Sequence, residues 1–218
     1  MMKMTLKQIE DEIGSLSNPS KMPCHGYSLP ATECKRGAIL RNIKNSVCSD
    51  CYALKNRYMF DNVQSALHKR IAALKANPQR WQKLITELIN RKEKSGYFRW
   101  HDSGDIQDAP HLSAINNIAL DLPHIKFWIP TREVSIVKEW CKSNTVASNL
   151  IIRLSANLIG QSLRRPSIPS PNITTSSVGA TQHNTKNANC PAPHQDNQCK
   201  SCRACWDTKV SNVNYTQH

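Results

Sequence analysis

The sequence has no uninterrupted apolar run of about 18 residues, the length a helix needs to cross a bilayer, and so offers no membrane span. Its opening stretch, Met1 to Ser17, also lacks the apolar centre of a secretory leader; Met4, Leu6, Ile9 and Ile13 instead mark one face of an amphipathic helix that carries acids. These two absences lead us to expect a cytoplasmic protein. Acidic residues are scarce as well, with 16 Asp and Glu against 29 Lys and Arg, a formal charge of +13. The imbalance is uneven: residues 1–100 hold 18 basic and 8 acidic side chains, and residues 101–218 hold 11 and 8. A basic excess favours polyanions, nucleic acid first, although many basic faces are simply solvated.

What the chain does have is cysteine, nine in all. In a reducing compartment, cysteines at short spacings are more often metal ligands or catalytic groups than disulfide partners. Eight of them fall into two groups, and Cys141 stands apart on an apolar helix face beside Trp140, where it reads as core.

Between the groups the pattern is that of an α/β protein. Asn18 to Asn45 is rich in turn formers and irregular. Two helices follow, one carrying Val63, Leu67, Ile71 and Leu74 behind a candidate Asp61 cap. The other opens at Asn77-Pro78 and places Trp81, Leu84, Ile85, Leu88 and Ile89 on one face before Gly96. Expected strands at Tyr97–His101, His124–Pro130, Leu150–Ala156 and Thr174–Ala180 then alternate with helices begun by Asp108-Pro110 and capped by Thr131. The near-continuous apolar run at 150–156 suits a parallel strand covered on both faces. Four or so strands are too few to close an eight-stranded barrel, so we expect an open, partial βα barrel over residues 1–163, with a cysteine loop at 18–57. Residues 164–218 read as a Pro-, Ser- and Asn-rich extension with little apolar content, ordered by a metal and packed on the barrel.

The extension carries Cys190-Pro191 and then Cys199-x2-Cys202-x2-Cys205. Three cysteines at this spacing wrap one face of a [4Fe–4S] cube while a fourth arrives from nearby, as in ferredoxin-type loops. Tetrahedral zinc is the alternative metal, although structural zinc sites favour two separated C-x2-C pairs. The first group is Cys34-x13-Cys48-x2-Cys51, with Cys24 ten residues upstream. Three thiolates leave one iron of a cube without a protein ligand, which opens it to substrate or S-adenosylmethionine. Cys24 is either a spare thiol, which we favour, or the fourth ligand that would close this site.

Several stretches carry a specific resemblance. They are Lys21-Met22-Pro23 through Ser28-Leu29-Pro30, Val47-Cys48 with Cys51-Tyr52-Ala53-Leu54-Lys55, and Phe98 through Asp105. Ile129-Pro130-Thr131-Arg132 and the tail from Cys190-Pro191-Ala192 to Cys202-Arg203-Ala204-Cys205-Trp206-Asp207 complete them. Over residues 20–218 the chain is similar to the phage "gene product eighty-eight" domain family, and its Cys-x-x-Cys-Tyr-Ala loop looks like that of radical-SAM-like iron–sulfur proteins. The resemblance implies a phage protein in the host cytoplasm, a radical-SAM-like partial barrel and one or two [4Fe–4S] clusters, and it leaves the reaction open. Two departures stand out: the gap of 13 residues replaces the usual C-x3-C-x2-C, and there is no Gly-Gly-Glu-type strand.

Other candidates sit at expected strand ends, where α/β folds place their active sites. His101, Asp102 and Asp105 are the catalytic candidates, for metal, proton or ribose. Ser103-Gly104 stand in for the missing glycine strand in binding a cofactor. Arg132 suits a carboxylate or phosphate, and Arg153, inside an apolar strand, needs a partner that the carboxylate of S-adenosylmethionine would supply. Lys35, Arg36, Arg41, Lys44, Lys55 and Arg57 would meet phosphates or offset the charge of a thiolate-bound cluster. The histidines of the tail, His183, His194 and His218, read as solvated. The sequence therefore supports an iron–sulfur enzyme that takes an electron from a reductant and acts on nucleic acid or another anion. The rival is a structural, redox or nucleic-acid-binding protein without radical chemistry.

Overall fold

The computed structural model describes residues 4–163, 167–179 and 187–216. Met1, Arg164, Ala180, His183 and His218, named above, lie outside the described residues.

Seven parallel strands form one open sheet: β1 (Gly26–Tyr27), β2 (Tyr97–Trp100), β3 (Lys126–Thr131), β4 (Leu150–Ser155), β5 (Ile173–Val178), β6 (Asn187–Asn189) and β7 (Asn212–Tyr215). Their spatial order is β1-β2-β3-β4-β5-β7-β6, so the first five lie side by side in chain order. Every ladder in the sheet is parallel. Three of the seven strands come from beyond residue 163, so the extension completes the sheet as well as covering it. The mixed α/β class and the open parallel sheet agree with the expectation from periodicity.

The helices are α1 (Leu6–Ile13), α2 (Lys35–Leu40), α3 (Asp61–Ala76), α4 (Pro78–Lys92), α5 (Ala109–Asp121) and α6 (Val134–Trp140). Thr5 and Gln8 close a capping box on α1. The Asn77 side chain accepts from the Arg80 amide to start α4, and Asp108 does the same with His111 for α5. Two expected caps differ. Asp61 lies inside the first turn of α3, whose N-cap is Phe60. Thr131 ends β3, and its hydroxyl accepts from the Glu133 amide while donating to Asp105. The segment expected to be irregular at 18–45 contains β1 and α2, both too short to leave a periodic signal.

Strand order fixes the layers. Right-handed crossovers that always step to the same side put their helices on one face of the sheet. Phe98, Trp100, Phe127, Ile129, Leu150, Ile152, Leu154 and Ile173 point to that face and share one core with residues of α1, α4, α5 and α6. Among the described residues, the opposite face gets no α-helix, only the short 3-10 turn at Ala204–Trp206. There Trp128 packs with Cys24 and Trp206, flanked by Met22, Tyr97, Cys205 and Tyr215. The tail thus supplies the missing cover, and the Trp206 indole donates to the Phe98 carbonyl at 3.0 Å.

Arg153 anchors this arrangement from the middle of β4, fully buried. Its five N–H groups donate to the carbonyls of Cys205, Thr175, Val210, Ala204 and Asp207 at 2.6–3.3 Å. The partner that a buried guanidinium requires is therefore the main chain of the tail, and no donor is left for the carboxylate we had expected. Arg153→Met would leave five carbonyls, most of them partly buried, without their donor and is expected to cost about 3 kcal/mol in urea unfolding. Limited proteolysis should then cut between residues 199 and 212 first. Arg153→Lys, with three donors of different geometry, should behave nearly as badly.

Candidate metal centres

The loop after β1 runs across the carboxyl ends of the neighbouring strands and is tied to each. The Leu29 amide donates to the Ser103 carbonyl (2.9 Å), the Arg36 amide to Glu133 Oε1 (2.7 Å), and the Val47 amide to the Asn157 carbonyl (2.9 Å). Lys35 adds a bond from Nζ to the Gln107 carbonyl. These ties bring the three cysteines of the loop together over β2 and β3. Cys34 leads into α2, Cys48 is buried, and Cys51 leads into a 3-10 turn at Tyr52–Leu54.

Gly37 shows how tightly the first two are seated. A Cβ added there would meet Cys34 Cβ at 2.8 Å and lie 3.7 Å from the Cys34 sulfur and 3.9 Å from the Cys48 sulfur. Both sulfurs thus lie within 4 Å of one point, and glycine is required there for space. Burial, then Asp105 and the other two thiols, raise the Cys34 thiol; burial raises Cys48 too, while Arg132 and Arg41 pull it down. Without a cation such thiols stay protonated, and a metal would displace those protons.

Asp105 lies beside this trio in a closed network. Its carboxylate accepts from Thr131 Oγ1 (2.5 Å) and from the amides of Ile106 (2.7 Å) and Arg132 (2.9 Å). Burial nonetheless pushes its pKa up to about 6. Arg132 presents a buried Nε with no partner, close enough to Cys48 to lower its thiol. An unfilled cationic donor next to the Cys48 thiol fits an anion at that place. A cleft of about 530 Å3, lined by Cys34, Lys35, Lys75, Gln107 and His111 among others, opens alongside.

The remaining strand-end candidates have different places. Asp102 pairs with Arg99 at 2.6 Å and accepts from Tyr58 at its carboxylate and from Tyr52 at its carbonyl. Ser103 donates its hydroxyl to the Leu29 carbonyl (2.7 Å). Gly104 has φ +83°, and a Cβ there would strike Leu29 at 2.6 Å, so this pair fastens the cysteine loop to the strand end. His101 takes a left-handed conformation (φ +56°) and turns into the core, 2% exposed. Its Nδ1 donates to the Tyr27 carbonyl at 3.1 Å, and its ring lies 5.3 Å from that of His111, itself 2% exposed. A catalytic His101 would need an opening that this packing does not give.

The second group lies on the helix-free face. Cys190 is held by its amide to the Asn214 carbonyl (2.8 Å) and Cys199 by its amide to the Lys21 carbonyl (3.0 Å). The Cys202 amide donates to the Cys199 carbonyl (2.9 Å), and the Cys205 sulfur lies 3.2 Å from the Tyr215 hydroxyl. Neighbouring thiols raise Cys190 and Cys199, after burial. Among the described residues no three His, Cys, Asp or Glu side chains are close enough to ligate one metal ion directly. Thiols are the donor type that both iron–sulfur clusters and structural zinc take. Cys24, read from the sequence as a spare thiol or a fourth ligand of the first group, packs on this face with Trp128 and Trp206. Its signal, the packing of residues 21–24 against the tail, spans too long a stretch of chain to show in any spacing.

Residues 3–208 match the family described as Gene product 88. The chain belongs to this phage protein family. No curated protein and no solved structure matches it. The Gene product 88 match spans both cysteine groups and every strand of the sheet except β7, which lies beyond its end. Among the described residues, no helix of this family member is long and apolar enough to cross a membrane.

Two outcomes are expected. Gly37→Ala should force Cys34 from Cys48 and lower the metal retained through anaerobic purification, with the far-ultraviolet circular dichroism unchanged. The second concerns pH. Burial lowers His101 to about 4, below the 6.5 of an open histidine, so the unfolded chain takes up the proton first as pH falls. Stability from this group is complete above about pH 6.5 and is lost toward pH 4, by up to about 3 kcal/mol. Asp105, raised to about 6, acts in the opposite direction over a similar window. Urea midpoints of His101→Asn, which tolerates the left-handed backbone, should therefore lose the histidine part of the slope relative to wild type.

Proposed function

We propose that this Gene product 88 protein is an iron–sulfur protein with its reactive centre at Cys34, Cys48 and Cys51. A second, auxiliary centre would lie in the C-terminal cysteine group. The observation that carries the reading is the seating of Cys34 and Cys48 around Gly37 at the carboxyl ends of the strands, with the unpartnered Arg132 Nε near Cys48. Parallel α/β sheets bind their ligands at that end. When bound, a [4Fe–4S] cluster held by three thiolates supplies an iron open to an outside ligand, with S-adenosylmethionine the first candidate, and an electron delivered by a reductant.

The protein's own residues then have definite tasks. Arg132 meets the carboxylate or phosphate of the ligand, and Asp105 fixes the Arg132 backbone and the Thr131 side chain. The cleft beside Cys34 admits substrate. Exposed Tyr52, Met59 and Phe60 stand among Lys44, Lys55 and Arg57 in the same loop, a mixture of flat apolar surface and positive charge that suits nucleic acid. This reading places the protein in the host cytoplasm.

Anaerobic purification tests it. Brown protein with iron and acid-labile sulfide is expected, and colourless protein holding zinc would overturn the iron assignment. Formation of 5′-deoxyadenosine from S-adenosylmethionine on chemical reduction is the expected mark of an enzyme. Its absence from cluster-loaded protein would leave a redox or structural iron–sulfur protein instead. Arg132→Met should weaken S-adenosylmethionine binding with the iron content unchanged.

A further inference from the structure

Six large apolar side chains stand exposed among the described residues, and five of them, Ile39, Ile43, Tyr52, Met59 and Phe60, fall between residues 39 and 60. Exposed apolar groups gathered in this way mark an interaction surface, whereas scattered ones do not. The same stretch is strongly basic. Residues 34–60 hold six Lys or Arg and a single acid, Asp50. Asp50 pairs with Lys55, while Lys44 and Arg57 stand exposed. The rings are held in place from behind. Tyr52 is 48% exposed, yet its hydroxyl donates to the Asp102 carbonyl and burial raises the pKa of that hydroxyl, so the ring is the part it presents. Tyr58 donates to the Asp102 carboxylate and meets Tyr52 edge to face, with ring centroids 5.7 Å apart. Phe60, 58% exposed, follows two residues later at the N-cap of α3. A flat ring fixed in advance gives up little freedom when another ring stacks on it.

We propose that this loop is a docking surface for single-stranded nucleic acid, with bases stacked on Tyr52 and Phe60 and phosphates met by Lys44, Lys55 and Arg57. Positive charge draws the phosphate backbone whatever the strand count. Exposed rings add a preference, because they need bases that are not already stacked inside a duplex. Asn42, Asn45 and Asn56 also stand exposed in the loop. They interrupt the continuous apolar surface that insertion into a membrane requires, and their amides suit base edges. Stacking and phosphate contacts read neither base sequence nor sugar, so DNA and RNA strands should be equivalent here. The loop also carries the first cysteine group, and a base on Tyr52 lies next to Cys51. For the claim that this strand is the substrate, the inference rests on the proposed function; the docking surface itself does not need the metal.

Fluorescence anisotropy on the full chain, purified without oxygen, tests this with labelled oligo(dT), oligo(U) and a duplex of the same length. Both single strands are expected to bind at least about tenfold more tightly than the duplex. Tyr52→Ala and Phe60→Ala should each weaken single-strand binding about tenfold, with the far-ultraviolet circular dichroism unchanged. Tyr52→Phe keeps the ring and should bind as wild type does. Lys44→Gln and Arg57→Gln should each lower the slope of log affinity against log salt by about 0.7. Duplex bound as tightly as single strand, or wild-type affinity in both alanine variants, would overturn the inference. Capture by phosphatidylserine vesicles in preference to oligo(dT) would overturn it too, as would a dimer that Phe60→Ala dissociates, since a second copy would then occupy the surface. The comparison of single strand with duplex needs no variant, so it decides even if an alanine variant does not fold. Iron and sulfide are counted on the same samples. Metal-loaded protein that takes no single strand would overturn this inference and leave the iron–sulfur centre standing. Metal-free protein that prefers single strands would support the surface and overturn that centre.

Discussion

A parallel sheet is covered on both faces, and here every residue of β4 is buried whichever face it points to. Laying β1 to β5 side by side in chain order sends every right-handed crossover to one face, and the chain has to find other material for the second. It uses the tail. Arg153, the Trp128 and Trp206 pair and the second cysteine group all follow from that shortage of cover. The cysteines of the tail are sheltered because the segment that carries them is also the layer that keeps water from the sheet.

The first cysteine group answers a different constraint. Its loop has few apolar residues to bury, and it is positioned instead by hydrogen bonds to the turns at the carboxyl ends of β2, β3 and β4. Ser103 and Gly104 fasten it at Leu29, and Glu133 fastens it at Arg36. Local order therefore depends on polar geometry at the strand ends, where Asp105 and Arg132 also lie. The Arg99–Asp102 pair stands between the two groups: Arg99 faces the thiols of the second, and Asp102 receives the hydroxyl of Tyr52, the neighbour of Cys51.

Much of this was legible in the sequence. Period-3.6 helices at 61–92, the strands near 97, 126 and 150, and the two cysteine groups carry strong local signals, and the structure places them close to the expected bounds. What stayed hidden depends on partners distant in the chain. Nothing around Arg153 announces five carbonyls from residues 175–210, and nothing around Cys24 announces Cys199. His101 reads as a strand-end acid–base group because its neighbours are polar. A single left-handed residue turns its ring inward, and backbone sign is not written in residue type. β1 and α2 are too short for periodicity to register.

Arg153 holds the tail by its carbonyls, and every residue type has a carbonyl. The clasp therefore makes no demand on the identity of the side chains at 204, 205, 207 and 210. One buried arginine thus separates the problem of keeping the segment in place from the problem of what the segment does. The side chains of the clasped stretch were left open to selection for chemistry, and a lineage could exchange or re-space its cysteines without first having to rebuild the fold beneath them.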